Sequence, residues 1–411
     1  MINSMTQQTA TKINWEEVIG QFMHDREIIQ LGASQFFSTH PAPVRKAIEQ
    51  YSRKLNESPV LYTLEQENTM MQQCREEIAG YFNISNPDEI ALTDSTTMGL
   101  GIIYTALNLK PGEEILTTDH DHYSQHESIR NACKRTGASY RRFEMYRNLA
   151  EVSKDEIVES VVRAISEKTK ILGLTWVHSS SGLKIPMREI SKAVAALNES
   201  RSPETKIRIV VDGVHGFGIE LESFAELGCD FFISSGHKWI YGPRGTGFVA
   251  ATHDAWQQVT PIIPSYTDTM NLIIEEEDRP EFMDGKQMTP GGFHSLEYRW
   301  AFADAFRFIN SIGKEQIYER VHYLNRTCKA ALASMPHVQL HTPMDDELSA
   351  GIIAFEVDGY STPETVKALQ EQKVIATASP YRISWARFTP GIINTEKEIE
   401  QAISAVCALK K

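Results

Sequence analysis

Residues 206–220 (KIRIVVDGVHGFGIE) and 229–247 (CDFFISSGHKWIYGPRGTG) carry most of the information about the fold. Each begins with a short apolar run that is typical of a buried strand and then continues into polar residues and glycines. Further strand-like and helix-like runs alternate along the chain, with strands at 90–93, 114–118, 170–177 and 247–251 and helices at 97–107, 124–136, 187–198 and 221–228. This alternation predicts an α/β fold with a mostly parallel central sheet between helices.

The flanking regions have a different pattern. Helical spacing of apolar residues covers 42–82, ahead of the alternating region. After Pro290 the chain reads as long helices over 295–334, followed by further elements: strand-like 351–357, helical 363–372, strand-like 381–386 and a last helix from about Thr395. We therefore predict three parts: an N-terminal segment, 1–40, that contributes to the small domain, a large domain, 41–292, and a small α+β C-terminal domain, 293–411.

The composition excludes several classes of protein. The chain has 411 residues, with 41 Lys and Arg against 54 Asp and Glu, which gives a formal charge of −13. Such a surface repels nucleic acid. No apolar run has the length of a signal peptide or a membrane span, and the five cysteines are scattered, with no CxxC pair. We expect a cytoplasmic protein with no nucleic-acid or membrane partner.

An acid and a lysine follow the two strands quoted first. Ligands of open α/β sheets collect at the carboxyl ends of strands, so Asp212 and Lys238 should face one crevice. A lysine amine can form a Schiff base with the aldehyde of pyridoxal 5'-phosphate (PLP), and a carboxylate can keep its pyridine nitrogen protonated. Ser235, His237 and the glycine-rich turn at 242–247 could hold a phosphate beside them.

The motif SGHKxxxGPxGxG with an upstream VVDGxH resembles the class V aminotransferase superfamily of PLP-dependent fold-type I enzymes. This superfamily includes cysteine desulfurases and isopenicillin N epimerase, and the resemblance runs from about Leu31 to the C-terminus. It implies the aspartate aminotransferase-like fold, PLP as cofactor and an amino-acid substrate. It also implies a role for each matching residue: Lys238 as the Schiff-base lysine, Asp212 beside the pyridine nitrogen, His215 near the phenolic oxygen, and Ser235 and His237 at the phosphate.

The segment 93–101 (TDSTTMGLG) resembles the family's phosphate-binding turn and helix start, with Thr96 and Thr97 at the helix. Backbone N–H groups at a helix start complement phosphate charge in any case. In 117–128 (TTDHDHYSQHES) the family places a ring that stacks on the cofactor, and we choose His122 with Tyr123 as the alternative. No ligand set accompanies these histidines, so we expect no metal.

Two arginines are candidates for binding the substrate carboxylate, as the resemblance implies. Arg382, in the strand-like segment 381–386, is the first choice, and Arg387 is the second. The loop at Thr289 resembles one that reaches the phosphate in the neighbouring subunit, which implies a homodimer with shared active sites.

Departures from the family's sequence pattern reduce the number of reactions that we expect for this chain. Residues 374–384 (VIATASPYRIS) lack the cysteine that desulfurases need before the arginine strand, so that activity is disfavoured. Trp176 and Ser179 also differ from desulfurases, which favours the isopenicillin N epimerase-like branch. The expected enzyme transforms an α-amino acid through an external aldimine and a Cα carbanion, by epimerisation or transamination. A C–S lyase that works by β-elimination and a catalytically inactive partner subunit are the alternatives.

Overall fold

The computed structural model describes residues 13–266 and 283–410. Residues 1–12 of the predicted N-terminal segment, 267–282 of the predicted large domain and 411 of the predicted small domain lie outside it. The helices of the described part are α1 Trp15–Gly20, α2 Ala42–Glu57, α3 Pro59–Phe82, α4 Thr96–Ala106, α5 Tyr123–Thr136, α6 Lys154–Ala164, α7 Met187–Asn198, α8 Phe224–Leu227, α9 His253–Trp256, α10 Gly285–Met288, α11 Leu296–Ile312, α12 Lys314–Ala333, α13 Thr362–Glu371 and α14 Glu396–Cys407.

The strands of the same residues form one large sheet and two small ones. They are β1 Ile29–Gln30, β2 Ile90–Thr93, β3 Glu114–Thr118, β4 Ser139–Phe143, β5 Thr169–Thr175, β6 Arg208–Asp212, β7 Phe231–Ser235, β8 Gly247–Ala251, β9 Val338–Leu340, β10 Ile353–Val357, β11 Val374–Ile375, β12 Thr377–Ala378 and β13 Ala386–Phe388.

The large sheet has the order β2-β8-β7-β6-β5-β3-β4, and β8 runs antiparallel to both of its neighbours while the other pairs are parallel. Successive residues of its strands point to opposite faces and belong to different apolar clusters. Val211 and Phe232 pack on one face, whereas Val210 and Phe231 pack on the other. The prediction of an α/β fold with a mostly parallel central sheet between helices is confirmed.

The C-terminal part contains an antiparallel sheet in the order β12-β13-β10-β9. The predicted strand at 381–386 is wrong, because β13 begins only at Ala386. Ser379 explains the delay: its carbonyl accepts hydrogen bonds from Tyr381 N (3.0 Å) and Ser384 Oγ (2.7 Å), and its hydroxyl accepts one from Trp385 N at 2.9 Å. These bonds fold 379–385 into a turn instead of a strand.

The N-terminal residues connect the two larger sheets. β1 pairs in parallel with β11, next to the C-terminal sheet. The Leu31 carbonyl accepts a hydrogen bond from Thr389 N at 2.7 Å, and Ser38 N donates to the His237 carbonyl at 3.3 Å. The segment from β1 to Ser38 therefore runs from the C-terminal sheet to the end of β7.

Two features are absent from the described residues, 13–266 and 283–410. None of their helices is long and apolar enough to cross a membrane. They also contain no group of three or more His, Cys, Asp or Glu side chains placed to hold a metal ion.

The end of β6 tolerates no side chain at Gly213. A Cβ there would lie 1.9 Å from Cζ of the buried Phe232. We expect Gly213→Ala to destabilise the protein by about 1–3 kcal/mol or more, since the overpacked ring must move. Thermal unfolding monitored by circular dichroism measures the change.

Gly80 in α3 provides the matched control, because a Cβ there meets nothing within 4 Å. Gly80→Ala should leave the unfolding midpoint unchanged or raise it, since alanine is the better helix former by about 1 kcal/mol. Equal midpoints for the two variants would contradict the packing argument.

Candidate active site

Two neighbouring strand ends carry the central pair of side chains. Asp212 is the last residue of β6 and lies opposite Ile233 of the parallel strand β7. Lys238 follows β7 in a tight turn, which is closed by a hydrogen bond from Gly242 N to the Gly236 carbonyl at 2.8 Å. The parallel register therefore brings the carboxylate and the amine into one crevice.

Lys238 Nζ lies 2.7 Å from Nε2 of His215. Part of the lysine side chain faces the crevice, but protein surrounds the amine. This burial lowers the pKa of Lys238 to about 7, although the Asp212 carboxylate opposes the shift. Burial and the nearby Lys238 charge also keep the pKa of His215 well below its usual value. The neutral imidazole can then accept a hydrogen bond from the amine.

Asp212 is buried, and burial raises its pKa, against a backbone hydrogen bond and the Lys238 charge. Val214 N donates that bond to Oδ1 at 3.2 Å. A buried carboxylate with a raised pKa favours a cationic partner such as a protonated ring nitrogen.

A cluster of hydrogen-bond donors lies at the start of α4. Ser95 caps this helix by accepting a hydrogen bond from Met98 N at 3.1 Å. Thr96 Oγ1 donates to Ser235 Oγ at 3.0 Å, which joins the helix start to the end of β7. Thr97 and His237 line the same crevice, and burial lowers the pKa of His237 to about 4. The first N–H groups of a helix have no intrahelical acceptor, so this cluster of donors suits a phosphate.

His122, and not Tyr123, lines the crevice. Its Nδ1 is 3.4 Å from Ser124 N at the start of α5, whereas the Tyr123 side chain is 63% exposed. Burial, followed by the charges of Lys238 and Arg387, lowers the pKa of His122 to about 4. The ring is therefore neutral near pH 7.

Asp121 positions His122, and sequence reasoning missed this residue. Its buried carboxylate accepts hydrogen bonds from Thr117 Oγ1 and Thr118 N, each at 2.7 Å, and from Thr175 N at 2.8 Å. These bonds tie the ends of β3 and β5 to the residue before His122. The sequence offered only the small signal of an acid between two histidines.

The two candidate arginines lie in different places. Arg387 is buried in β13, lines the crevice, and donates hydrogen bonds to the carbonyls of Ser179 and Ala378. Burial lowers the pKa of Arg387 to about 10, which leaves it charged near pH 7. Arg382 is exposed in the turn before β13 and is not among the lining residues. The structure therefore brings Arg387, the second choice, to the crevice.

Thr289 lies apart from the crevice. Its hydroxyl accepts a hydrogen bond from Leu92 N at 3.1 Å and donates to the Gly285 carbonyl at 3.0 Å. It lines a separate pocket together with Arg75 and Tyr266.

The crevice has a volume of about 550 Å³, which lies in the range of small-molecule sites. Sequence reasoning missed several of its lining residues. Val214 and Arg244 stand at variable positions of the two motifs, and no motif marks Gln35, Phe36, Phe37, Ala378 and Pro380.

Comparison with known proteins shows the class to which this fold and site belong. The model of the class-V aminotransferase family matches residues 36–385, and the chain belongs to that family. Isopenicillin N epimerase of Streptomyces clavuligerus is 26% identical over 96% of this chain and 98% of its own. A cysteine desulfurase of Serratia proteamaculans is 24% identical over 85% of each chain.

Solved structures show the same fold. A complex of the cystine C–S lyase C-DES with its product cysteine persulfide has a TM-score of 0.82 at 21% identity, covering 93% of this chain and 98% of that one. The apo cysteine desulfurase of Thermococcus onnurineus NA1 also has a TM-score of 0.82, at 18% identity, with coverage of 98% and 99%. The chain therefore has the PLP fold-type I architecture.

Family membership implies pyridoxal 5'-phosphate as the cofactor, and the residues present fit it. Lys238 would supply an amine for the aldehyde, Asp212 a carboxylate for the pyridine nitrogen, and the start of α4 hydrogen-bond donors for the phosphate. His215 Nδ1 is buried and has no hydrogen-bond partner in the part of the chain that the structure describes. Such a polar atom fits a site that is completed by a polar ligand.

The lowered pKa of Lys238 predicts a pH-dependent stability. Between about pH 7 and about pH 10 the unfolded chain binds more protons at this lysine than the folded chain, so folded stability rises with pH. We expect Lys238→Met to stabilise the cofactor-free protein most at or below about pH 7. This advantage should shrink by about 3 kcal/mol between about pH 7 and about pH 9.5. Unfolding midpoints at both pH values measure it.

Lys134, exposed in the last turn of α5, provides the control. Lys134→Met should differ from the unmodified protein by the same amount at both pH values. A constant difference for Lys238→Met as well would show that Lys238 titrates as in the unfolded chain.

Proposed function

We propose that this protein is an enzyme that transforms an α-amino acid, free or within a metabolite, by moving a proton at Cα. The reaction would be that of an isopenicillin N epimerase-like or class-V aminotransferase-like enzyme. One observation carries the proposal: the 2.7 Å contact between Lys238 Nζ and His215 lies in the same crevice as the guanidinium of Arg387. A group that can transfer a proton and a group that can bind a carboxylate thus line the same crevice, which is large enough for a small-molecule substrate.

When bound, PLP would supply an aldehyde for the substrate amine and an electron-withdrawing ring that makes the Cα proton more acidic. The chain's own residues then determine where the substrate lies and where its proton goes. Arg387 binds the α-carboxylate as a charged donor in a buried place, where a charge-assisted hydrogen bond is strong. Asp212 holds a proton at the ring nitrogen.

Lys238 is the proposed general base. With a pKa of about 7, a large fraction of its amine is neutral near neutral pH and can accept the Cα proton. His215 orients the amine through its Nε2. His122 lies on the crevice wall as a neutral ring and adds no second charge beside the lysine.

The cysteines support a reaction other than persulfide transfer. None of the five lines the crevice in the described residues: Cys74, Cys133, Cys229 and Cys328 are buried elsewhere, and Cys407 is exposed on α14. A C–S lyase that works by β-elimination needs no such thiol and is the second candidate function. An inactive partner subunit is the third, and the convergence of Lys238, Asp212 and Arg387 argues against it.

One experiment separates these outcomes. Purified protein loaded with PLP is incubated in D₂O with a panel of amino acids and cysteine S-oxides. We expect solvent deuterium at Cα, accompanied by inverted product for an epimerase or keto acid for an aminotransferase. Pyruvate with ammonia would indicate the lyase.

Lys238→Ala should reduce deuterium exchange by at least about a hundredfold, the usual contribution of a general base. Lys134→Ala, on an exposed helix surface, should retain the rate. If the unmodified protein exchanges no deuterium with any amino acid in the panel, the proposal is contradicted and the inactive subunit is favoured.

The two arginines provide a second test. Arg387→Lys should raise KM for α-amino acids by about tenfold or more, because lysine cannot reproduce the guanidinium fork. Arg382→Lys, in the exposed turn, should leave KM unchanged. Inhibition constants for amines that lack the α-carboxylate should be the same in all three proteins, which separates carboxylate binding from general damage to the site. A larger effect of Arg382→Lys on KM would indicate that Arg382, and not Arg387, binds the α-carboxylate.

We further propose a cytoplasmic homodimer. Val60, Leu61 and Leu64 of α3 are each more than 60% exposed, and Phe293, just after the Thr289 loop, is 91% exposed. Apolar side chains in such numbers are typical of a surface that a second chain covers. A partner seated there is compatible with a Thr289 loop that serves the neighbouring active site.

A further inference from the structure

The active-site crevice adjoins a second cavity of about 500 Å³. Phe36, Phe37 and Arg244 line both volumes, so the two meet at these three side chains. Ser38 N holds this segment to the lysine turn through its 3.3 Å hydrogen bond to the His237 carbonyl. A ligand that starts at Lys238 can therefore extend past the two phenylalanines into the second cavity.

The charged side chains that line the second cavity are all basic. Its lining contains Arg45, Arg244 and the imidazoles of His24 and His40, and it contains no Asp or Glu. Arg45 uses its guanidinium within the fold, because it donates hydrogen bonds to the carbonyls of Gln21 and His40. Positive charge without a lining acid favours an anionic ligand.

Arg244 is the cation that remains free to bind. It follows Pro243 in the glycine-rich turn, is exposed, and forms no ion pair with an acid in the described residues. Its guanidinium carbon lies 4.8 Å from the centroid of the Phe37 ring. This cation–π contact holds the guanidinium at the junction of the two cavities while its N–H donors stay open to a ligand.

Phe36 and Phe37 add an apolar surface at the same junction. Their side chains are 65% and 50% exposed, which is unusual for two consecutive phenylalanines next to a polar site. Methylene groups of a ligand could cover them, and a terminal oxyanion would then meet Arg244. A chain of methylene groups with a carboxylate at the end matches both features.

We propose that Arg244 binds a carboxylate at the far end of the substrate's side chain, so that the preferred substrates are amino acids, or amino-acid conjugates, with a second, distal carboxylate. Phe36 and Phe37 support the methylene groups between the two ends. This inference rests on the proposed function, because it assumes that the substrate's α-amino group lies at Lys238 and its α-carboxylate at Arg387.

The test uses pairs of amino acids of increasing side-chain length. Within each pair, the side-chain carboxylate of one member is replaced by a carboxamide in the other. Glutamate is compared with glutamine, and 2-aminoadipate with its side-chain amide. The dissociation constant of each is measured on the PLP-loaded protein from the change in the cofactor's visible absorption. At the length that reaches Arg244, the carboxylate should bind about tenfold or more tightly than its amide.

Arg244→Gln should bring this ratio close to one while leaving the affinity for the amides nearly unchanged. Arg163→Gln, on the exposed face of α6, is the matched control and should preserve the ratio. Phe37→Ala should weaken both members of a pair by a similar factor, since it removes apolar contact and not charge. The cofactor's own absorption, unchanged in each variant, confirms that the site is folded.

A ratio near one at every length in the unmodified protein would overturn the inference. So would a ratio that survives in Arg244→Gln. Failure of the proposed function gives a different result, because then no amino acid, acidic or neutral, changes the cofactor's absorption.

Discussion

The parallel pairing of β6 with β7 is the constraint on which the site depends. Asp212 lies opposite Ile233, so the end of β6 stands beside the residues that lead into the lysine turn. A shift of one residue would move Asp212 to the other face of the sheet. The apolar alternation of Val210, Val211, Phe231 and Phe232 prevents such a shift, because each residue already belongs to a packed layer.

Burial at this place shifts the pKa values of the two charged partners in opposite directions. It lowers the pKa of Lys238 and raises that of Asp212, and in each case the neutral form is favoured. Their mutual attraction opposes both shifts, which leaves an amine that can change protonation state near neutral pH. The pKa values of these two groups depend on burial and on their mutual attraction at the strand ends. They do not follow from the net charge of −13.

The sequence was sufficient for the other strands of the large sheet and for the motifs that follow them, since both depend on local patterns. It did not indicate β4, whose first four residues are exposed and two of which are arginines, because an exposed edge strand lacks apolar alternation. The helical spacing over 42–82 concealed the break between α2 and α3, where Pro59 begins the second helix.

The choice between Arg382 and Arg387 shows a different limit of sequence reasoning. The turn at Ser379 delays β13 by several residues, and its hydrogen bonds join groups that no periodic pattern marks. Similarly, Asp121 accepts a hydrogen bond from Thr175 N, 54 residues further along the chain, and Phe37 and Arg244 meet only in the folded chain. Long-range contacts of this kind decide which of two similar residues faces the crevice.

The two ends of the crevice are built under different constraints, and this bears on how one fold can serve several reactions. Asp212, Ser235 and Lys238 lie in or directly after strands of the large sheet, where register and packing fix them. Phe36 and Phe37 belong to a segment that links β1 to α2, and Ser38 N of this segment donates a backbone hydrogen bond to the His237 carbonyl in the lysine turn. A backbone bond does not depend on side-chain identity, so residues beside Ser38 can change without disturbing the strand ends. The proposed cofactor end is thus fixed by the sheet, while the side chains at the end proposed for the substrate's side chain can change without disturbing the strand ends.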